Sequence, residues 1–153
     1  MKKKIAILGS TGSIGQTTLD IIKRNNKSFQ IELLSTNKSI IKIKKQIKIF
    51  KVRNIIIHDK KKFLENKLFF KKLRINVYRN VIDFNKHYKK KLDYVMCSIT
   101  GLNGLESTLD IIKCTKRIAI ANKESIICGW NLIKKKLDKF KTKFIPVDSE
   151  HFS

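Results

Sequence analysis

Residues 4–15 read KIAILGSTGSIG, an apolar run closed by Gly9 and followed by glycines at positions 12 and 15. The run 4–8 is too short for a helix and carries no polar alternation, so it predicts a strand buried on both faces, as in a parallel sheet. Gly9, Gly12 and Gly15 form G-x-x-G-x-x-G, a relative of the dinucleotide fingerprint G-x-G-x-x-G. The turn needs one residue free to take positive φ, the backbone must come close to a pyrophosphate, and the next helix must pack tightly on the strand. Ser10, Thr11 and Ser13 add hydroxyl donors, and a helix opening near Ser13 would direct its free N–H groups and positive dipole end at an anion.

Outward from this turn the chain alternates the two periodicities. Helical spacing of Ile14, Thr17, Thr18, Ile21 and Ile22 predicts a helix over 13–25; Ile40, Ile43, Ile47 and Phe50 predict another over 39–50. Further helices are expected over 60–72, with Phe63, Leu64 and Phe70 inward, and over 81–88, 102–114 and 123–139. Strands are expected at 30–35, 53–57, 76–78, 93–98, 117–121 and 144–147. Strands alternating with helices of this length imply right-handed crossovers and a mostly parallel sheet. The fold expected is therefore α/β, a Rossmann-type doubly wound sheet with helices on both faces. A cofactor domain would occupy residues 1–147 and the start of a catalytic, metal-binding region residues 148–153.

At 153 residues the chain has the size of one ordinary domain. No apolar run approaches the ~20 residues of a membrane span, and the first strand starts too early to leave room for a targeting segment. Three scattered cysteines, Cys97, Cys114 and Cys128, fit reduced thiols packed as small hydrophobes in a cytoplasmic setting. The net charge of +23 invites a nucleic-acid reading. Against it, the basic residues are nearly all Lys, and specific phosphate recognition favours Arg. Lys, Ile, Asn and Phe enrichment is what a bacterial AT-rich genome produces, so the Lys runs are expected to be solvated helix faces without specific nucleic-acid binding.

Ligands of such sheets bind beyond the carboxyl ends of the strands. After the second expected strand comes Asn37-Lys38-Ser39 with no carboxylate to accept from a ribose 2′-hydroxyl; a cation and hydroxyls there favour NADPH. Asn122-Lys123-Glu124-Ser125 places an amide, a cation and a carboxylate at the mouth of the expected cleft. Asp148-Ser149-Glu150 puts two carboxylates on one side of an extended chain, which suits a hard divalent cation, Mg²⁺ or Mn²⁺.

Together GSTGSIGQTTLDII, ANKESIICG and PVDSEH resemble the 1-deoxy-D-xylulose 5-phosphate reductoisomerase family in a consistent order along the chain. The resemblance implies a metal-assisted rearrangement of 1-deoxy-D-xylulose 5-phosphate and hydride transfer from NADPH, giving 2-C-methyl-D-erythritol 4-phosphate in non-mevalonate isoprenoid biosynthesis. It assigns Thr11, Gly12, Ser13 and Ile14 to the cofactor pyrophosphate, and Asn122 and Glu124 to NADPH. Lys123 would bind substrate and offset charge on its oxygens, Ser149 and Glu150 would touch substrate, and Asp148 and Glu150 would ligate the metal. Two positions depart from the family: Asn37 stands where a Gly is usual, and Phe152 where a small or polar residue is usual. Family members are longer and homodimeric. Their third metal carboxylate, phosphate site, closing loop and dimer region lie beyond position 153, so this piece is expected to bind NADPH without turnover. Two other readings stand beside it: another NADP-dependent Rossmann oxidoreductase, or a basic polyanion-binding module. The short-chain dehydrogenase type is disfavoured, because Tyr78, Tyr88 and Tyr94 are followed four residues later by Ile82, Leu92 and Ser98 and not by Lys.

Overall fold

The computed structural model describes residues 1–147. Strands β1 (Lys3–Leu8), β2 (Phe29–Thr36), β3 (Asn54–Ile57), β4 (Asn76–Tyr78), β5 (Tyr94–Cys97), β6 (Arg117–Ile120) and β7 (Lys143–Pro146) form one sheet. The order is β4-β3-β2-β1-β5-β6-β7 and every pair is parallel. Helices α1 (Ser13–Arg24), α2 (Ile40–Phe50), α3 (Lys60–Lys72), α4 (Val81–His87), α5 (Asn103–Ile111) and α6 (Lys123–Phe140) join them. The last expected helix turn before β6 tightens into a 3₁₀ turn, Ile112–Cys114.

The central strand shows why the sheet is covered on both sides. Ile5 and Ile7 point into one core with Leu19 and Ile22 of α1, Ile43 and Ile47 of α2, and Phe63 and Phe70 of α3. Ala6 and Leu8 point into the other with Phe84 of α4, Ile111 of α5, and Ile133 and Leu137 of α6. The period of two in β1 therefore feeds two apolar layers, each buried Ile or Leu contributing about 1.5–3 kcal/mol relative to exposure. In β2 an irregularity resets that period: Ile5 pairs with Ile31 but Ala6 with Leu33, so Glu32 is passed over. Ile31 and Leu33, two residues apart, consequently enter opposite layers.

One inward assignment differs from expectation. Leu64 is exposed, because Phe63 and Phe70 lie seven residues apart on the buried stripe and Leu64 falls off it. In α1 Leu19 and Ile22 are buried, and Ile21 is exposed. Helix starts are fixed by side chains: Asp59, Asn80 and Asn122 accept from the amides of Lys62, Asp83 and Ser125 respectively. Cys97 and Cys114 are buried, while Cys128 is exposed. No helix among the described residues is long and apolar enough to cross a membrane.

Chain order runs outward from β1 through β2, β3 and β4, then returns to the other side of β1 with β5. The carboxyl ends of β1 and β5 thus bound the switch point at which such sheets hold ligands.

Candidate functional site

The glycine turn lies at that switch point, and its three glycines are there for different reasons. Gly9 has φ +83°, a left-handed value, and a Cβ on it would lie 2.8 Å from the Ser98 carbonyl carbon at the end of β5. Gly15 packs α1 onto the turn; a Cβ would overlap the Gly9 carbonyl oxygen and sit 2.6 Å from Ser10 Cα. Gly12 is exposed, and its φ −79° and ψ 174° suit any residue. A Cβ on it would meet only the Gly9 oxygen, at 3.6 Å. Nothing among the described residues requires a glycine at position 12.

Below the turn, hydroxyls act as struts. Ser10 is fully buried, its Oγ donating to Gln46 Oε1 at 2.7 Å and its amide to the Ser35 carbonyl at 2.9 Å. Gln46 returns a bond from Nε2 to the Ser10 carbonyl at 2.8 Å, and Ser35 Oγ accepts from the Gly9 amide at 2.8 Å. Ser10 therefore locks the turn to β2 and α2 and is not a donor to a ligand, as its sequence position had suggested. Thr11 stays at the surface of the turn, with Oγ1 2.9 Å from Thr36 Oγ1. Ser13 is exposed and Ile14 half-buried in the first turn of α1, where the leading amides of a helix have no intrahelical partner.

Above the turn opens a cleft of about 670 Å³. Gly9, Thr11 and Gly12 line it, with Ser35, Thr36 and Asn37 at the exit of β2. The far wall is His58 and Arg79, at the exits of β3 and β4. The near wall is Ser98, Ile99 and Thr100 after β5, followed by Asn103, Glu106 and Asp110 of α5. Lys38 and Ser39 stand beside the cleft and do not line it. Lys38 Nζ lies 3.8 Å from Asp59 Oδ2, and Ser39 donates its amide to Thr36 Oγ1 at 3.2 Å. Asp59 is held below the usual carboxylate range, first by its bond from the Lys62 amide and, among further contributions, by the Lys38 charge.

Residues 122–125 also stay off the cleft wall. Asn122 is buried and supports the wall from behind: Nδ2 donates to the carbonyls of Ile99, at 2.6 Å, and Gly101, at 2.7 Å. Its Oδ1 caps α6. Lys123 and Glu124 are exposed in the first turn of that helix. Asp148, Ser149, Glu150, His151 and Phe152 lie outside the described residues. Among the described residues no group of three or more His, Cys, Asp or Glu is placed to hold a metal ion.

His58 and Arg79 were missed in the sequence, although both directly follow strands. The signal was their position, since the exits of the two outer strands are as much part of the carboxyl edge as the inner ones. Burial, and then the Arg79 guanidinium, push His58 down to about 4, so the imidazole is neutral near pH 7. The unfolded chain takes up a proton near 6.5 while the folded one does not. Stability should therefore be full above pH 6.5 and fall by about 3 kcal/mol as the pH drops toward 4. Urea unfolding of wild type and His58→Gln at pH 7 and pH ~4.5 checks this by subtraction, since every other titrating group is common to both. Equal pH dependence in the two proteins would contradict it.

An all-parallel doubly wound sheet, with a glycine turn and a helix N-terminus opening on the switch-point cleft, defines a dinucleotide-binding domain of the Rossmann type. The sequence profile of the 1-deoxy-D-xylulose 5-phosphate reductoisomerase family matches residues 5–129. The chain belongs to that family. It is 58% identical over 153 residues to the reductoisomerase of Pelagibacter ubique, covering 99% of this chain and 39% of the relative. A solved reductoisomerase from Zymomonas mobilis in complex with NADPH superposes with a TM-score of 0.86 at 29% identity, over 99% of this chain and 40% of that one. A solved reductoisomerase in complex with NADPH, fosmidomycin and magnesium also has a TM-score of 0.86, at 28% identity, over 97% of this chain and 37% of that one. The chain thus spans about two fifths of the length of the relatives it matches.

Proposed function

We propose that these 153 residues are the NADPH-binding part of a 1-deoxy-D-xylulose 5-phosphate reductoisomerase. The observation that carries this is Gly12. It is exposed on the cleft floor at a position where the fold itself tolerates a side chain, so its missing Cβ serves a ligand that needs close backbone approach. The free amides of Ser13 and Ile14 and the positive end of α1 suit the pyrophosphate of that ligand. Thr11 borders the pyrophosphate and Asn37 the adenosine ribose, with Lys38 and Ser39 beside it, off the cleft wall. Gly9 and Gly15 hold the turn in shape beneath it.

Bound NADPH supplies a hydride. The chain's own residues position the cofactor and do not donate or abstract protons in this reading. Asn122 fixes the β5 exit loop through Ile99 and Gly101, which holds the near wall where the nicotinamide half would lie; Glu124 approaches from the start of α6. Lys123, next to it, faces substrate and offsets charge on its oxygens. A divalent cation, Mg²⁺ or Mn²⁺, would be held by Asp148 and Glu150, with Ser149 and Glu150 touching substrate. The resemblance of PVDSEH to the family, and magnesium in a solved relative, support that part. The full reaction requires more of the family's length than these residues provide, so NADPH binding without turnover is the expected behaviour of this piece.

Titration with NADPH by fluorescence, at low and at high salt, tests the reading. Saturable binding that persists at high salt is expected for a formed cleft. Loss of all binding on adding salt would point to polyanion attraction by the +23 surface instead.

A further inference from the structure

We propose that Arg79 is the residue that makes the cleft prefer a 2′-phosphorylated dinucleotide, an inference that rests on the NADPH reading above. With the pyrophosphate over Gly12 and the start of α1, the adenosine ribose falls toward the exit of β2, where dinucleotide domains read the 2′ position. Two cations lie near that end, Lys38 and Arg79. The Lys38 side chain is 68% exposed, stays off the cleft wall, and has its ammonium 3.8 Å from Asp59. Part of its charge is already answered by that carboxylate.

Arg79 differs on each count. It follows β4 directly, is half-buried, and lines the cleft. Nη1 donates to the carbonyls of Ile57, at 3.1 Å, and of His58, which holds the guanidinium at the exit of β3, the strand next to β2. The Phe63 ring lies 5.8 Å from its Cζ. The group is thereby held by one nitrogen, and the rest of its planar fork suits the oxygens of a phosphate better than a lysine does. His58 beside it is neutral at pH 7 and adds no competing cation. The chain has 35 Lys and Arg, yet among the described residues that line the cleft Arg79 alone carries a fixed positive charge. The other charged groups on the wall are the carboxylates of Glu106 and Asp110, which repel a phosphate. A 2′-phosphate entering this cleft has one cationic site on its wall.

The test is to measure Kd for NADPH and for NADH with wild type, Arg79→Gln, Arg79→Lys and Lys38→Ala. Arg79→Gln should weaken NADPH by about thirtyfold, the worth of a charge-assisted contact, and leave NADH within about twofold. Arg79→Lys keeps the charge without the fork and should fall between, about five- to tenfold weaker for NADPH alone. Lys38→Ala should change the NADPH-to-NADH ratio by less than about threefold. The proposal is overturned if Lys38→Ala abolishes the preference, or if the ratio survives in Arg79→Gln. It is also overturned if both Arg79 variants weaken the two dinucleotides equally, which would make the residue a strap between strand ends. Failure of the wild type to bind either dinucleotide would instead remove the cofactor reading on which all of this stands.

Discussion

Replacing Gly15 by Ala should destabilise the protein by about 3 kcal/mol or more, the upper range for forcing a methyl into a filled site. The added Cβ would overlap the Gly9 carbonyl oxygen and lie 2.6 Å from Ser10 Cα and 2.8 Å from the Ser10 carbonyl carbon. All three are backbone atoms, so no side chain can swing away. The turn cannot retreat either, because the Gly9 amide is bonded to Ser35 Oγ and the Ser10 amide to the Ser35 carbonyl. The strain must lift α1, and with it Leu19 and Ile22, from the layer that includes Ile5 and Ile7. Urea unfolding of the variant measures the loss; a change below about 1 kcal/mol would mean that the helix and turn are not in rigid contact.

Gly12→Val should give the opposite pattern. Its stability should change by no more than about 1 kcal/mol, the usual cost of an apolar residue at a helix N-cap. Its NADPH affinity should drop about a hundredfold, equivalent to roughly 2.7 kcal/mol, because the branched side chain stands where a pyrophosphate must touch backbone. Calorimetric titration beside thermal unfolding separates the two effects. An unchanged affinity would show that position 12 is a glycine for no reason connected with this ligand. The two substitutions are three residues apart on one turn, yet one should act on folding and the other on binding.

Much of the architecture was legible because the chain keeps its periodicities apart. Ile5 to Leu8, Ile55 to Ile57 and Ile118 to Ile120 are uninterrupted apolar runs of strand length, and all are buried. Helices with residues such as Ile43 and Ile47 at spacing four bury them and leave lysines outside. Even the three-residue strand Asn76–Tyr78 was visible. What was hidden depends on placement across the fold. The sequence Ile31-Glu32-Leu33-Leu34 looks like a simple strand, whereas its irregular pairing with β1 is what sends Ile31 and Leu33, two residues apart, to opposite sides. Ser10 was legible as a hydroxyl in a phosphate-type turn, but its burial against Gln46, 36 positions away, could not be seen locally. The same holds for Lys38. A cation without a nearby acid in sequence acquires Asp59 across a strand crossover. Conversely, Arg79 sits in a stretch with no motif at all and enters the cleft only because β4 ends beside β3.

Because neighbouring strands are all parallel, no two of them can pair through a tight hairpin, and the centre of the sheet closes over a long separation: Ile5 pairs with Tyr94 and Leu8 with Cys97. Ser98 then donates from Oγ to the Leu8 carbonyl at 2.8 Å and provides the surface against which Gly9 is packed. During synthesis the glycine turn leaves the ribosome roughly 90 residues ahead of Ser98, whose backbone it packs against, and acquires its final shape only once β5 has followed. For that interval the strand it terminates is open along one edge, a state in which capture by another chain competes with completion of the domain.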